Sequence, residues 1–228
     1  GWHRASRGRV LVDGAPLDDA ALSALRESTA WVDPAAQLWN RSLIDNLIYG
    51  APRDAPAHVG RVIEAADLEG VIERLPAGMQ TELGEGGGLV SGGEGQRVRL
   101  GRGLLRRAPR LVLLDEAFRG LARDRRRDLL ARARGWWKEA TLLCVTHDVG
   151  ETLEFPRVLV VDGGRVVEDG PPGELLARES RFRSMVEEER SVLGDAWADP
   201  TWRHVELREG KLVEVTGEEA VAPRRHSA

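Results

Sequence analysis

An α/β domain with a largely parallel sheet is the fold class this sequence predicts, on three observations. Residues 111–114 (Leu-Val-Leu-Leu) and 140–145 (Ala-Thr-Leu-Leu-Cys-Val) are short continuous apolar runs, the pattern of strands buried on both faces of a parallel sheet. Between them, residues 124–137 read as a helix, with Leu129, Leu130 and Ala133 on an apolar side. Strands alternating with helices in this way make parallel crossovers.

The remaining elements follow from local signals. Residues 9–14 end in Asp13-Gly14 and read as a short strand and turn; Ala30-Trp31-Val32 is another strand, stopped by Asp33-Pro34. Residues 40–49 read as a helix capped by Asn40 or Ser42. Val59, Val62, Ile63 and Ala66 recur at helical spacing, and a shorter helix covers 70–74 before Pro76. The glycines of 84–88 demand a loop, after which Ser91 opens a strong helix. Asp148 is placed to cap a short helix through Leu153. Val158 to Val161 and Val166-Val167 flank Gly163-Gly164, a hairpin signal. Helices are expected near 173–177 and 182–189, then a terminal hairpin from 204–207 and 211–215 and a disordered tail over 221–228. Trp136 and Trp137 are expected to cover a core edge, and Trp197 and Trp202 to pack the terminal hairpin.

Composition narrows the class. Hydrophobic content of 42% and charged content of 31% suit a globular protein, and a net charge of −4 argues against a general polyanion binder. The arginines of 119–134 are interrupted by Asp124 and Asp128 and share a helix with apolar residues, so a solvated face explains them better than nucleic acid does. Cys144 is the single cysteine, which excludes an intramolecular disulfide and a cysteine zinc site. Its apolar neighbours predict a small buried hydrophobe. No apolar run reaches the length of a membrane span.

Four local features carry chemistry. Ser91-Gly92-Gly93-Glu94-Gly95-Gln96 sets two glycines at a helix start, where free N–H groups and the helix dipole favour an anion. Ser91 and Glu94 also have the spacing of a capping box. The strand of 111–114 delivers Asp115 and Glu116 to the sheet end where open α/β folds bind ligands. There Asp115 is placed to hold Mg²⁺ and Glu116 to polarise a water; an acidic cap after a core strand has the same residues. His147 ends the next strand, where it can meet a phosphate or a water, or simply face solvent. Gln37 lies in the loop between the strand at 30–32 and the next helix.

Together, and in this order, these features over roughly 8–190 resemble the ATP-binding-cassette (ABC) ATPase family. Residues 91–96 look like its signature motif, Asp115 and Glu116 like the Walker B aspartate and catalytic glutamate, and His147 like the switch histidine. The resemblance implies a RecA-like P-loop NTPase core in 1–193, a helical subdomain inserted at about 41–108, and a C-terminal extension over 194–228. It implies ATP and Mg²⁺ as cofactors and a second ABC ATPase domain in a head-to-tail dimer. Ser91, Gly92 and Gly93 would then contact a nucleotide held mainly by the partner, while Asp115, Glu116 and His147 serve the other; Gln96 and Gln37 are further cofactor-binding residues to weigh, Gln37 as a candidate replacement for the Q-loop glutamine. Residues 38–47 resemble the Q-loop region of exporters, which implies a transmembrane domain, a place at the cytoplasmic face of a membrane, and no nucleic-acid partner.

The sequence also departs from the family. The phosphate loop G-x-x-x-x-G-K-[ST] does not occur, and neither Lys138 nor Lys211 sits in such a context. A start at Gly1 rather than Met fits a chain cropped after that loop, missing the first core elements. Pro34 aligns with the Q-loop glutamine, three residues before Gln37, and Ala122 stands where the D-loop ends in aspartate. These departures leave open a catalytically degenerate cassette that donates its signature motif to a partner's ATP. A soluble ABC protein acting on DNA or ribosomes is a third reading, without the coiled coil or tandem cassette that would favour it. The phosphate loop supplies most contacts to the β- and γ-phosphates. The isolated 228-residue chain is therefore expected to bind Mg-ATP weakly and hydrolyse almost none. Tight binding in an equilibrium titration of the purified chain would refute this.

Overall fold

The computed structural model describes residues 5–106, 108–198, 205–208 and 211–214, with side chains described as far as Ser191. The chain divides into two compact units, Gly1–His147 and Asp148–Ala228.

The first unit begins with a two-stranded antiparallel hairpin, β1 (Leu11–Val12) and β2 (Ala15–Pro16), turning at Asp13-Gly14 with φ of 51° and 79°. Helix α1 (Asp19–Glu27) follows, capped by Asp18, whose Oδ1 accepts from the Ala21 N–H at 2.8 Å. Sequence reading assigned neither β2 nor α1. Two residues are too few for a strand pattern, whereas the helical spacing of Leu22 and Leu25 on α1 was legible and went unread.

A three-stranded parallel sheet forms the centre, with β4 (Leu111–Asp115) between β3 (Thr29–Val32) and β5 (Thr141–Val145). Trp31, Leu113 and Leu143 share one register row, and Asp115 pairs with Val145. One face is dry: Ala30, Val32, Val112 and Leu114 are at most 1% exposed. The other is not. Trp31, Leu143 and Val145 are 43%, 47% and 51% exposed, and Leu111 and Leu113 are only half-buried. This corrects the expectation of burial on both faces. The described helices cover a single side, where α5 (Gly92–Leu104) packs so tightly that a Cβ on Gly103 would lie 2.7 Å from Val32. Cys144 is likewise half-buried rather than buried.

The helical stretch before Ser91 contains α2 (Leu43–Ile48), α3 (Val59–Ala65) and α4 (Glu69–Arg74). Their core, with α5, is Leu43, Leu47, Val62, Leu68, Leu83 and Leu100, each at most 1% exposed. Ser42, not Asn40, caps α2, its hydroxyl accepting from the Asp45 N–H. Helix α6 (Arg123–Trp136) turns Leu129, Leu130 and Ala133 inward. Trp137 is buried, and Trp136 donates to the Leu104 carbonyl beneath the Arg61 guanidinium.

In the second unit, α7 (Val149–Thr152), the antiparallel hairpin of β6 (Val158–Asp162) and β7 (Arg165–Gly170), α8 (Pro172–Leu176) and α9 (Arg181–Ala198) enclose Val149, Val158, Val160, Leu175, Phe182 and Val186. Asp148 sits at the cap position of α7 without a side-chain capping bond. Glu168 on β7 accepts the backbone N–H groups of Arg181 and Phe182, fixing the start of α9. The terminal hairpin expected from sequence is present as β8 (Val205–Arg208) and β9 (Lys211–Glu214). The side chains of Trp197 and Trp202, and the tail expected over 221–228, lie outside what the structure describes. No helix among the described residues is long and apolar enough to cross a membrane.

The α2–α5 contact is a close one: a Cβ on Gly101 would sit 2.7 Å from Leu47 and 3.3 Å from Leu68. Overpacking of this kind costs about 1–3 kcal/mol. Gly101→Val is expected to lower stability by that amount in chemical denaturation. Gly70→Ala on α4 meets open space and is expected to be neutral or to add up to about 1 kcal/mol.

Candidate functional site

Parallel strands send their exits to a common edge, and three loops leave from it. Residues 33–42 follow β3, 116–122 follow β4, and 146–147 follow β5. At this edge the Glu116 N–H donates to the Val145 carbonyl at 2.9 Å, extending the β4–β5 ladder one residue past Asp115. Glu116 has φ of 44°, in the left-handed region that a side chain with a Cβ seldom occupies. Strain of this kind gathers at functional sites. The turn brings Glu116 Oε1 within 2.6 Å of His147 Nε2. His147 is 89% exposed and Glu116 23%, so the imidazole reaches over a carboxylate that is itself mostly enclosed. Arg119 Nη1 lies 3.7 Å from Glu116 Oε2. Asp115 is half-buried beside this pair.

The Ser91 segment builds a second wall. Ser91 caps α5 with both halves of a capping box: its N–H donates to Glu94 Oε2 at 2.8 Å, and the Glu94 N–H donates to its hydroxyl at 3.4 Å. Glu94 also pairs with Arg74 of α4. Burial raises the Glu94 pKa, but the Ser91 and Arg74 contacts outweigh it and hold the carboxyl below the ordinary glutamate value. Gly92 faces open space, whereas a Cβ on Gly93 would lie 2.7 Å from Leu121. Only glycine lets the 116–122 loop approach so closely. The Ser91 segment and residues 119–122 bound an open cleft of about 540 Å³ lined by Ser91, Gly93, Gln96, Gly120, Leu121 and Arg125, among others, with Asp115, Glu116 and His147 outside its lining. Gln96 is 7% exposed and its buried Oε1 has no hydrogen-bond partner. An unpaired buried amide oxygen is costly, and such an orphan on a cleft wall suits an added donor.

The third loop is held by Asn46, which is fully buried. Its Nδ2 donates to the carbonyls of Trp39, Arg41 and Ser42, and its Oδ1 accepts the Trp39 N–H. Arg102 of α5 lies over the Trp39 ring at 4.7 Å and donates to the Asn46 and Gln37 carbonyls. Desolvation, aided by Arg99, pushes the Arg102 pKa down to about 10. Gln37 is thereby fixed by its backbone, with its side chain exposed; no hydrogen bond joins it to the Glu116–His147 pair among the described residues. Sequence reading missed Asn46 and Arg102, whose partners lie as far as 65 residues away.

Among the described residues no cluster of three or more His, Cys, Asp or Glu could hold a metal by itself. Mg²⁺ needs less, one or two carboxylates with water and phosphate oxygens, and Asp115 at the strand end fits that requirement.

Comparison with known proteins decides the family. The model of the ABC transporter family, described as "ABC transporter", matches residues 1–119. The chain belongs to the ABC transporter family. This cassette is 35% identical over 182 residues to the ATP-dependent lipid A-core flippase of Pseudomonas aeruginosa, covering 79% of the cassette and 30% of the flippase. It is 34% identical over 176 residues to the glutathione/L-cysteine transport system ATP-binding/permease protein CydC of Escherichia coli, covering 77% and 30%. A bacterial Atm1-family ABC exporter with ATP bound superposes with a TM-score of 0.75 at 31% identity, covering 81% of the cassette and 32% of the exporter chain. The cassette thus spans about a third of the length of the relatives it matches. Its parallel sheet and helices have the RecA-like P-loop NTPase fold of an exporter nucleotide-binding domain.

The capping box makes a pH-dependent contribution. A carboxyl with a lowered folded pKa stabilises above its unfolded pKa, and the contribution disappears as pH falls through the folded value. Glu94→Gln keeps an acceptor for the Ser91 N–H but loses the charge facing Arg74 and the helix N-terminus, an expected cost of about 0.3–1 kcal/mol near neutral pH. The gap to wild type should close as the pH drops through the carboxylate range, read by denaturant titrations at several pH values.

Proposed function

We propose that this cassette is the ATP-hydrolysing part of an ABC exporter, with Glu116 as the general base. The contact between Glu116 Oε1 and His147 Nε2 at 2.6 Å carries the reading. In-line attack on a γ-phosphate needs a water held by a proton acceptor and a donor that steadies the attacked phosphate. Glu116 takes the water's proton, and the exposed His147 orients the water or hydrogen-bonds the phosphate. Asp115 would hold Mg²⁺, which when bound neutralises phosphate charge. Ser91, Gly92 and Gly93 offer the α5 N-terminus to a nucleotide shared with a second cassette in a head-to-tail dimer, and Gln96 supports that wall. Gln37, in the loop after β3, is a further candidate for contact with the nucleotide.

The relatives' names support the rest of the proposal. One is called a lipid A-core flippase, one an ATP-binding/permease protein, and the matched structure an exporter. We place the cassette at the cytoplasmic face of a membrane, joined to a transmembrane domain, with no nucleic-acid partner. Within it, 41–108 serves as the helical subdomain of an ATPase domain spanning 1–193, and 194–228 is an extension.

Pro34 and Ala122 keep one competing reading in view, a degenerate cassette serving only a partner's site. Glu116→Gln and His147→Ala in the full-length protein separate the two. ATP turnover is expected to fall about 10²–10⁴-fold, the range for loss of a general base. Turnover unchanged by Glu116→Gln would establish the degenerate reading instead.

A further inference from the structure

The cleft beside Ser91 is spanned by a charge cluster of Asp67, Arg97 and Arg125. Asp67 lies at the junction of α3 and α4, with φ of 55°. Its Oδ2 accepts from Arg97 Nη1 at 2.7 Å, and the same guanidinium group donates to the Asp67 backbone carbonyl. Arg125 Nε lies 3.4 Å from the same Oδ2. Arg97 is in the second turn of α5, and Arg125 is on the first turn of α6, directly after the 116–122 loop. Both arginines line the cleft, one from each wall. A single carboxylate therefore bridges α5 and the start of α6, the two walls of the cleft.

The energetics assign different weights to the two contacts. The Arg97 side chain is 8% exposed, and a charge so buried requires a partner. Arg125 is 52% exposed, so its pairing is weak as a source of stability. Its effect is positional: it draws the start of α6, and with it Leu121 against Gly93, toward the signature helix. Without the Asp67 charge, two guanidinium groups on facing walls would repel each other. Arg74 of α4 grips Glu94 on the first turn of α5, so the 67–74 segment holds that helix at two points.

We infer that Asp67 is a positioning residue for the nucleotide cleft, fixing the separation of the Ser91–Gly93 backbone from the 116–122 loop. The inference rests on reading the cleft as a nucleotide site. Since Asp67 touches no reacting atom, its loss should weaken nucleotide binding and leave the chemical step nearly intact.

Asp67→Asn is the suitable variant, because asparagine tolerates the left-handed backbone that alanine would strain. Steady-state turnover of the full-length protein is measured for Asp67→Asn, Arg125→Ala and the double variant. KM for ATP is expected to rise about tenfold in Asp67→Asn, with kcat changed less than about threefold. The double variant should be no worse than Asp67→Asn alone, because both remove one bridge. An unchanged KM, a loss confined to kcat, or additive effects would overturn the inference, since a merely structural role lowers stability without this split. Glu116→Gln run in parallel tests the underlying reading: if it abolishes turnover, a flat Asp67→Asn result counts against the bridge alone. If turnover survives Glu116→Gln, the catalytic reading fails, but the cleft can still serve a partner's nucleotide, and the KM split in Asp67→Asn alone decides the inference.

Discussion

The register of the three parallel strands is the constraint on which the site depends. Neighbouring strands lie about 4.8 Å apart, so Asp115 opposite Val145 leaves Glu116 and His147, one and two residues further on, within reach of each other. The backbone bond from Glu116 to Val145 adds a final rung, and at that same residue the backbone takes its positive φ. A slip of one residue would send every side chain of β4 to the opposite face. The dry face, with Val112 and Leu114 fully buried, forbids that slip. Burial on one side of the sheet thus fixes polar geometry at its end.

The loops are placed by polar groups that have nowhere else to satisfy themselves. Asn46 is buried and uses both ends of its amide on the backbone of 39–42. Arg102 and Arg97 extend from α5 in two directions, one to the Gln37 loop and one to Asp67. The signature helix is therefore the hub between the sheet edge and the helical stretch. Three close glycine contacts, Gly93 to Leu121, Gly101 to Leu47 and Gly103 to Val32, bring its neighbours tightly against it.

Much of this was legible from sequence because it is local. Apolar runs located β3, β4 and β5, Ser91 announced its helix through the S-x-x-E spacing, and Gly163-Gly164 marked the β6–β7 turn. The catalytic candidates were legible because each ends a recognisable strand. What sequence did not show is long-range or weakly patterned. Helix α1 is an exception, since its spacing of Leu22 and Leu25 is local and was not read. Asn46 reads as an ordinary surface residue until α2 turns it inward. Asp67 meets its partner 30 residues away, a contact that no local window can hold. The two-sided burial expected of β4 failed because an apolar run states what a strand can bury, not what is there to cover it.

That half-covered face has a practical side. Trp31 stands on it at 43% exposure, in one row with Leu113 and Leu143. An indole with one flank against protein and the other toward water emits according to how wet its surroundings are. A variant keeping Trp31 alone of the seven tryptophans would thus carry an optical gauge on β3, the strand that feeds the Gln37 loop. Any helix or subunit that comes to rest on the sheet would register there as a shift toward the blue.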